Sequence, residues 1–213
     1  MTMQLGENPW ILIGIILLEI FLVIIPAYIS SKIEKKTFKK LLFEMGFQKN
    51  DDILIKVIAG LSIGVIFFSF GDFILIFFRH IIIENLFGTR FIEEGQEGVI
   101  NTLPILPNMI QIIILVILQI IIIGPCEEAF FRGFIIKKIN NKIKLAYSVI
   151  ISSILFALYH VPPFIVPLTT TITYFGYYFA FGVLLALIFI FFEYSLIPCS
   201  ISHSCLNVLL LLV

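Results

Sequence analysis

The chain has 213 residues, of which 60% are hydrophobic, 15% aromatic and 13% charged, with 14 Lys and Arg against 14 Asp and Glu. Soluble domains run about 45–50% apolar and about 25% charged, so a water-soluble globule is excluded, and 23 Phe exclude a disordered chain. The balanced charge argues against a nucleic-acid partner. What remains is an all-α, polytopic transmembrane helix bundle, because a helix satisfies its own backbone hydrogen bonds in lipid. A membrane β-barrel would alternate apolar and polar residues, whereas Ile112 to Ile123 is almost unbroken apolar sequence.

A span needs about 20 apolar residues. Six stretches qualify in chain order: Trp10–Ile29, Ile53–Phe78, Pro107–Phe134, Ala146–Val161, Thr170–Phe192 and Leu196–Val213. The first follows Glu7 and no Lys or Arg, so it reads as a retained span and not a signal peptide. The third is interrupted by Gly124-Pro125, which should break or kink it. The fourth and sixth are short enough to tilt little or to stop below one face. Residues 1–100 form an N-terminal part with a basic loop, and residues 101–213 form the part that carries chemistry. Cys126, Cys199 and Cys205 are odd in number and lie in apolar sequence, so they read as free thiols.

Eleven of the fourteen basic residues fall in or beside two alternate loops. Lys32, Lys35, Lys36, Lys39, Lys40, Lys49 and Lys56 belong to the first loop, and Lys137, Lys138, Lys142 and Lys144 to the third. By the positive-inside rule both loops are cytoplasmic, in a multi-pass protein of the cell membrane. Ser31–Gly46, with Ile33, Phe38, Leu41, Leu42 and Phe43 among lysines, has the pattern of an amphipathic surface helix. A plain positive-inside anchor explains it more simply.

An ionisable side chain in hydrocarbon costs about 2.5–3.5 kcal/mol on insertion scales, so each one needs a reason. Glu127 and Glu128 follow Pro125, in the first turn of a helical segment where the dipole favours negative charge. Glu128 and Arg132 are four apart and can pair, whereas Glu127 points about 100° away and is free to face a polar cavity. Phe156 and His160 share a face at the end of the fourth span, before Pro162-Pro163. His203 and Asn207 share a face of the sixth. Each set alone also reads as structural: a self-neutralising pair, an interfacial histidine, an interhelical hydrogen bond. Together they suggest one polar cavity formed by the last four spans. Glu19 and Asp72 have no companion at helical spacing and read as partly exposed or as bonded to a neighbour. Depth is a difficulty. Glu127 lies about 15 Å of helix from Lys137, but His160 lies about 24 Å from Lys144.

The patterns Glu127-Glu128-x-x-x-Arg132, Phe156-x-x-x-His160 and His203-x-x-x-Asn207, in that order on separate spans, resemble those of the type II CAAX prenyl endopeptidases. They also resemble the prokaryotic relatives, the CAAX protease and bacteriocin-processing (CPBP) intramembrane proteases. The resemblance covers the chain from Gly124 onward. It implies a helical bundle with a cavity open to the cytosol and hydrolysis of a peptide bond near the cytoplasmic face. The substrate would be a prenylated tail or a peptide precursor. Glu127 would be the general base that activates water, helped by His160. His203 and Asn207 would stabilise the oxyanion, Glu128 and Arg132 would orient the site, and Phe156 would pack beside it. A zinc ion on Glu127, His160 and His203 competes with this metal-independent scheme. The alternative function is non-catalytic bacteriocin self-immunity or regulation on the same fold. The expected partners are membrane lipids and a peptide or lipidated-protein substrate.

Overall fold

A computed structural model describes residues 3–4, 9–47, 51–101 and 107–212; Glu7, Lys49 and Val213 lie outside the described residues. Among the described residues eight helices follow one another: α1 (Pro9–Ile33), α2 (Phe38–Glu44), α3 (Ile53–Phe87), α4 (Thr89–Glu97), α5 (Met109–Asn140), α6 (Leu145–His160), α7 (Leu168–Phe191) and α8 (Leu196–Leu212). Two parallel two-residue strands, β1 (Met3–Gln4) and β2 (Ile100–Asn101), join the chain start to the segment after α4. Among the described residues α1, α3, α5 and α7 are long and apolar enough to cross a bilayer. The 16-residue α6 and 17-residue α8 span roughly 25 Å, short of the ~30 Å hydrocarbon core. The protein is a multi-pass helical membrane protein, and its outward apolar side chains, among them Phe21, Ile66, Phe70, Ile121 and Leu187, are exposed for lipid to cover.

Gly124-Pro125 does not break the third span. α5 runs through it, with wide i→i+5 turns at Gln119–Ile123 and Ala129–Ile136 on either side. Proline lacks an N–H and its ring crowds the carbonyl four residues back. Wide turns shift the hydrogen-bond ladder and let the helix pass; the Gly124 N–H donates to the Gln119 carbonyl, five residues back. α3 likewise continues past Phe78 through wide turns at Phe77–Ile83 and ends where Gly88 takes a positive φ of 85°.

The first loop also differs from a long surface helix. Ser31 and Ile33 belong to α1, and only Phe38–Glu44 is helical, capped by the Thr37 hydroxyl. Leu41 and Met45 are buried in the bundle core, and the Met45 carbonyl lies against Gly133 of α5, where a side chain would collide. The Lys137 ammonium donates to the Glu44 carbonyl at 2.8 Å, and Lys138 pairs with Glu34. The two lysine-rich loops therefore close on each other at one end, as the shared sidedness of the sequence requires.

The depth difficulty disappears because α5 continues to Asn140. From there to Glu127 is about 20 Å of helix, against about 22 Å from Leu145 to His160.

α8 packs most extensively on α3. Gly60 and Gly64, four apart on α3, face Pro198, Ile201, Ser202 and Cys205. This is the small-xxx-small device by which helices in lipid approach closely. A Cβ added at Gly60 would stand 2.7 Å from the Pro198 carbonyl oxygen, and one at Gly64 2.7 Å from Cys205 Cβ. Gly64→Leu should therefore cost at least the ~1–3 kcal/mol typical of overpacking, read as a fall in detergent melting temperature. Gly14→Leu, with nothing within 4 Å of its Cβ position, should melt like wild type.

Candidate active site

Four helices converge on the polar residues of the second half of the chain. The Gly124-Pro125 region of α5 comes close to α8, with Gly124 against Ser204 and the Ser200 carbonyl. That contact places Glu127 and Glu128, one turn on, beside His203. Glu128, Arg132 and His203 have no exposed surface, and Glu127 is 4% exposed.

Glu128 is the hub of the buried part. Its Oε1 accepts from Arg132 Nη1 at 3.0 Å and from His203 Nδ1 at 2.9 Å. Arg132 Nη2 donates to the Gly182 carbonyl of α7 at 3.0 Å, and its guanidinium lies 4.3 Å from the centre of the Phe156 ring. The Phe156 ring also stands 4.3 Å from the His160 ring and 5.6 Å from the His203 ring. Glu128, Arg132 and Phe156 thus form one framework on which both histidines rest.

Glu127 faces away from that hub. Its Oε2 is 3.6 Å from His160 Nε2 and 3.9 Å from His203 Nε2. The protons on the two rings follow from their other nitrogens. His160 Nδ1 is 3.0 Å from the Phe156 carbonyl, which can only accept, so Nδ1 carries a hydrogen. His203 Nδ1 faces the Glu128 carboxylate that Arg132 holds, so it too donates. In the neutral rings both Nε2 atoms then present lone pairs to the Glu127 carboxylate. Glu127 Oε2 and His203 Nε2 are buried without a hydrogen-bond partner among the described residues. Three acceptors converging without a donor fit either a water that donates its two hydrogens to two of them or a divalent cation. The three candidate ligand atoms lie within 4.8 Å of one another. Tetrahedral zinc ligands at about 2.0–2.1 Å stand roughly 3.3 Å apart, and a carboxylate on the far nitrogen of a ligating histidine is the usual outer support. The residues therefore fit a metal.

Asn207 is placed differently from the other motif residues. Its Nδ2 donates to Gln119 Oε1 at 2.9 Å, and the Ser204 hydroxyl donates to the Gln119 carbonyl at 2.7 Å. Gln119 is a site residue that sequence reasoning missed. Its signal was present: an amide alone in the Ile112–Ile123 apolar run, subject to the same cost argument as the charges. Tyr178 of α7, its ring 4.7 Å from that of His160, was missed too. Glu19 is buried in α1 and accepts from the Tyr159 hydroxyl at 2.6 Å. Asp72 lies exposed on α3, away from the cluster. A cavity of about 460 Å3 lies at the lysine-rich end, lined by Glu34, Lys36, Met45, Gly133, Lys137 and Tyr194, among others. Its lining includes none of the three converging residues, so the chemistry points to the Glu127 cluster, where His160 is the least enclosed member.

Residues 109–209 match the family described as type II CAAX prenyl endopeptidase, Rce1-like. The second half of the chain is thus similar to that family. No curated protein and no solved structure matches the chain. The matched segment begins at the first residue of α5 and takes in Glu127, Glu128, Arg132, Phe156, His160, His203 and Asn207. α1, with Glu19, and α3, with the two glycines under α8, lie outside it.

Proposed function

We propose that this membrane protein is an intramembrane endopeptidase whose Glu127 takes a proton from a water held between Glu127, His160 and His203. The observation that carries the reading is the convergence of one carboxylate and two imidazole Nε2 atoms from three helices in a largely buried site. Glu127 serves as general base, and His160 Nε2 accepts the water's second hydrogen and orients its lone pair toward the scissile carbonyl. His203 and Asn207 assist the developing oxyanion. Asn207 has a second amide hydrogen beyond the one given to Gln119. The proton that Glu127 takes from the water passes to His203 Nε2, 3.9 Å away, giving an imidazolium that Glu128 stabilises through Nδ1 and that donates to the oxyanion before the proton goes to the leaving amine as the C–N bond breaks. The metal reading assigns Glu127, His160 and His203 as ligands, and a bound zinc would supply Lewis acidity toward the water and the carbonyl.

The substrate class is a peptide segment approaching from the lysine-rich end, either a prenylated CAAX-type tail or a peptide precursor. Glu127 lies about 20 Å of helix from that end. At about 3.3–3.6 Å per residue, roughly six extended residues are needed to reach it. The test is cleavage of a peptide library by protein purified into liposomes, for wild type and Glu127→Gln, with and without a zinc chelator. Wild-type cleavage that survives chelation and disappears in the variant supports the glutamate scheme. Cleavage abolished by chelator and restored by zinc moves Glu127 to the role of ligand. Equal cleavage by both proteins rules the proposal out.

A further inference from the structure

The strongest feature unused by this chemistry is Glu19. It is a carboxyl in the middle of an apolar span, 2% exposed, and it comes from a helix outside the Rce1-like match. Its Oε1 accepts from the Tyr159 hydroxyl at 2.6 Å, and its Oε2 is buried without a partner. No Lys or Arg pairs with it among the described residues, so it does not serve to neutralise a buried cation. A group this costly in a span requires a role.

Its bonded partner indicates that role. Tyr159 immediately precedes His160. The Tyr159 ring stands edge-on to the His160 ring with centroids 5.8 Å apart, and it packs on Phe131 at 5.6 Å. His160 is held on its other sides by Phe156 and Tyr178 at 4.3 and 4.7 Å. Of these three supports only Tyr159 is anchored, among the described residues, by a side-chain hydrogen bond, and that bond crosses to another helix. The last turn of α6 is where anchoring counts, because the helix ends at His160 and runs into Val161-Pro162-Pro163.

We infer that Glu19 is a positioning residue of the active site: through its hydrogen bond from Tyr159 it fixes the last turn of α6 and so the His160 imidazole against Glu127. The functional unit therefore extends beyond the Rce1-like match to include α1. This inference rests on the endopeptidase reading for its kinetic consequence and not for its structural one, and the experiment has an arm for each.

The structural arm uses the three histidines of the chain, His80, His160 and His203. Histidine-ring-labelled protein in detergent gives three sets of ring signals, assigned with His80→Gln and His160→Gln. Glu19→Leu and Tyr159→Phe should both shift the His160 signals and leave His80 in place. Glu19→Gln, which keeps an acceptor for the Tyr159 hydroxyl, should restore the wild-type position. The kinetic arm is cleavage in liposomes. Glu19→Leu and Tyr159→Phe should each lower kcat on the order of tenfold with KM unchanged. The double variant should be no worse than either alone, and Glu19→Gln should lie within about twofold of wild type. Wild-type His160 signals in Glu19→Leu, or a Glu19→Gln as damaged as Glu19→Leu, would overturn the inference. Shifted His160 signals together with equal cleavage by wild type and Glu127→Gln would leave the positioning intact and remove the endopeptidase reading instead.

Discussion

Glu127→Gln is expected to lower kcat by about 10²–10⁴-fold, the usual worth of a positioned general base, with KM little changed. The substitution keeps the size and planarity of the side chain and removes the ability to take a proton. The residue is only 4% exposed, and its Oε2 faces two imidazole nitrogens and no donor. Glutamine would offer an amide hydrogen to those same lone pairs, so the variant should fold and melt no lower than wild type. A loss of activity with a normal melting curve thus assigns the effect to chemistry. Glu128→Gln should behave differently, because Glu128 holds Arg132 and His203 together. Its variant should lose stability as well as rate.

Arg132→Met is expected to produce the largest loss of stability, about 3–5 kcal/mol, because it strands a buried carboxylate. Arg132 is fully buried, donates to Glu128 and to the Gly182 carbonyl, and lies over Phe156. Methionine fills most of the volume but supplies no donor. Lysine keeps the charge but not the fork that reaches two acceptors at once, so Arg132→Lys should fall between wild type and Arg132→Met. The double variant Glu128→Leu/Arg132→Met removes both charges and should be more stable than Arg132→Met alone. It should nevertheless be inactive, since His203 Nδ1 loses its acceptor. Detergent melting temperatures check the order, and an Arg132→Met protein as stable as wild type would mean that the buried pair carries none of the fold.

The residues that converge in the structure were legible because membranes make polarity conspicuous. Glu127, Arg132, His160 and His203 stand out in apolar sequence for the same reason that they converge: each needs a partner away from lipid. Helical spacing correctly joined Glu128 to Arg132. It was silent on the step that matters most, the joining of Glu128 to His203 across 75 residues. Of the expected break or kink at Gly124-Pro125 the break is absent, because local propensity predicts strain and not how a packed helix absorbs it; the wide turns on both sides do so. The charge pattern of the first loop describes a surface and gave no sign that Leu41 and Met45 are buried in the core, where the Met45 carbonyl lies against Gly133, a contact with no local signature. Gln119 was overlooked because it carries no charge, although an amide in an apolar span is subject to the same demand for a partner.

The central claim is spatial: Glu127 of α5, His160 of α6 and His203 of α8 meet in one small volume. Thiol crosslinking in native membranes measures it directly, in a background with Cys126, Cys199 and Cys205 replaced by serine. A short bifunctional thiol reagent should bridge Glu127→Cys to His160→Cys, and should not bridge Glu127→Cys to His80→Cys. Failure of the first pair to crosslink, while both single cysteines react with a monofunctional reagent, would contradict the account.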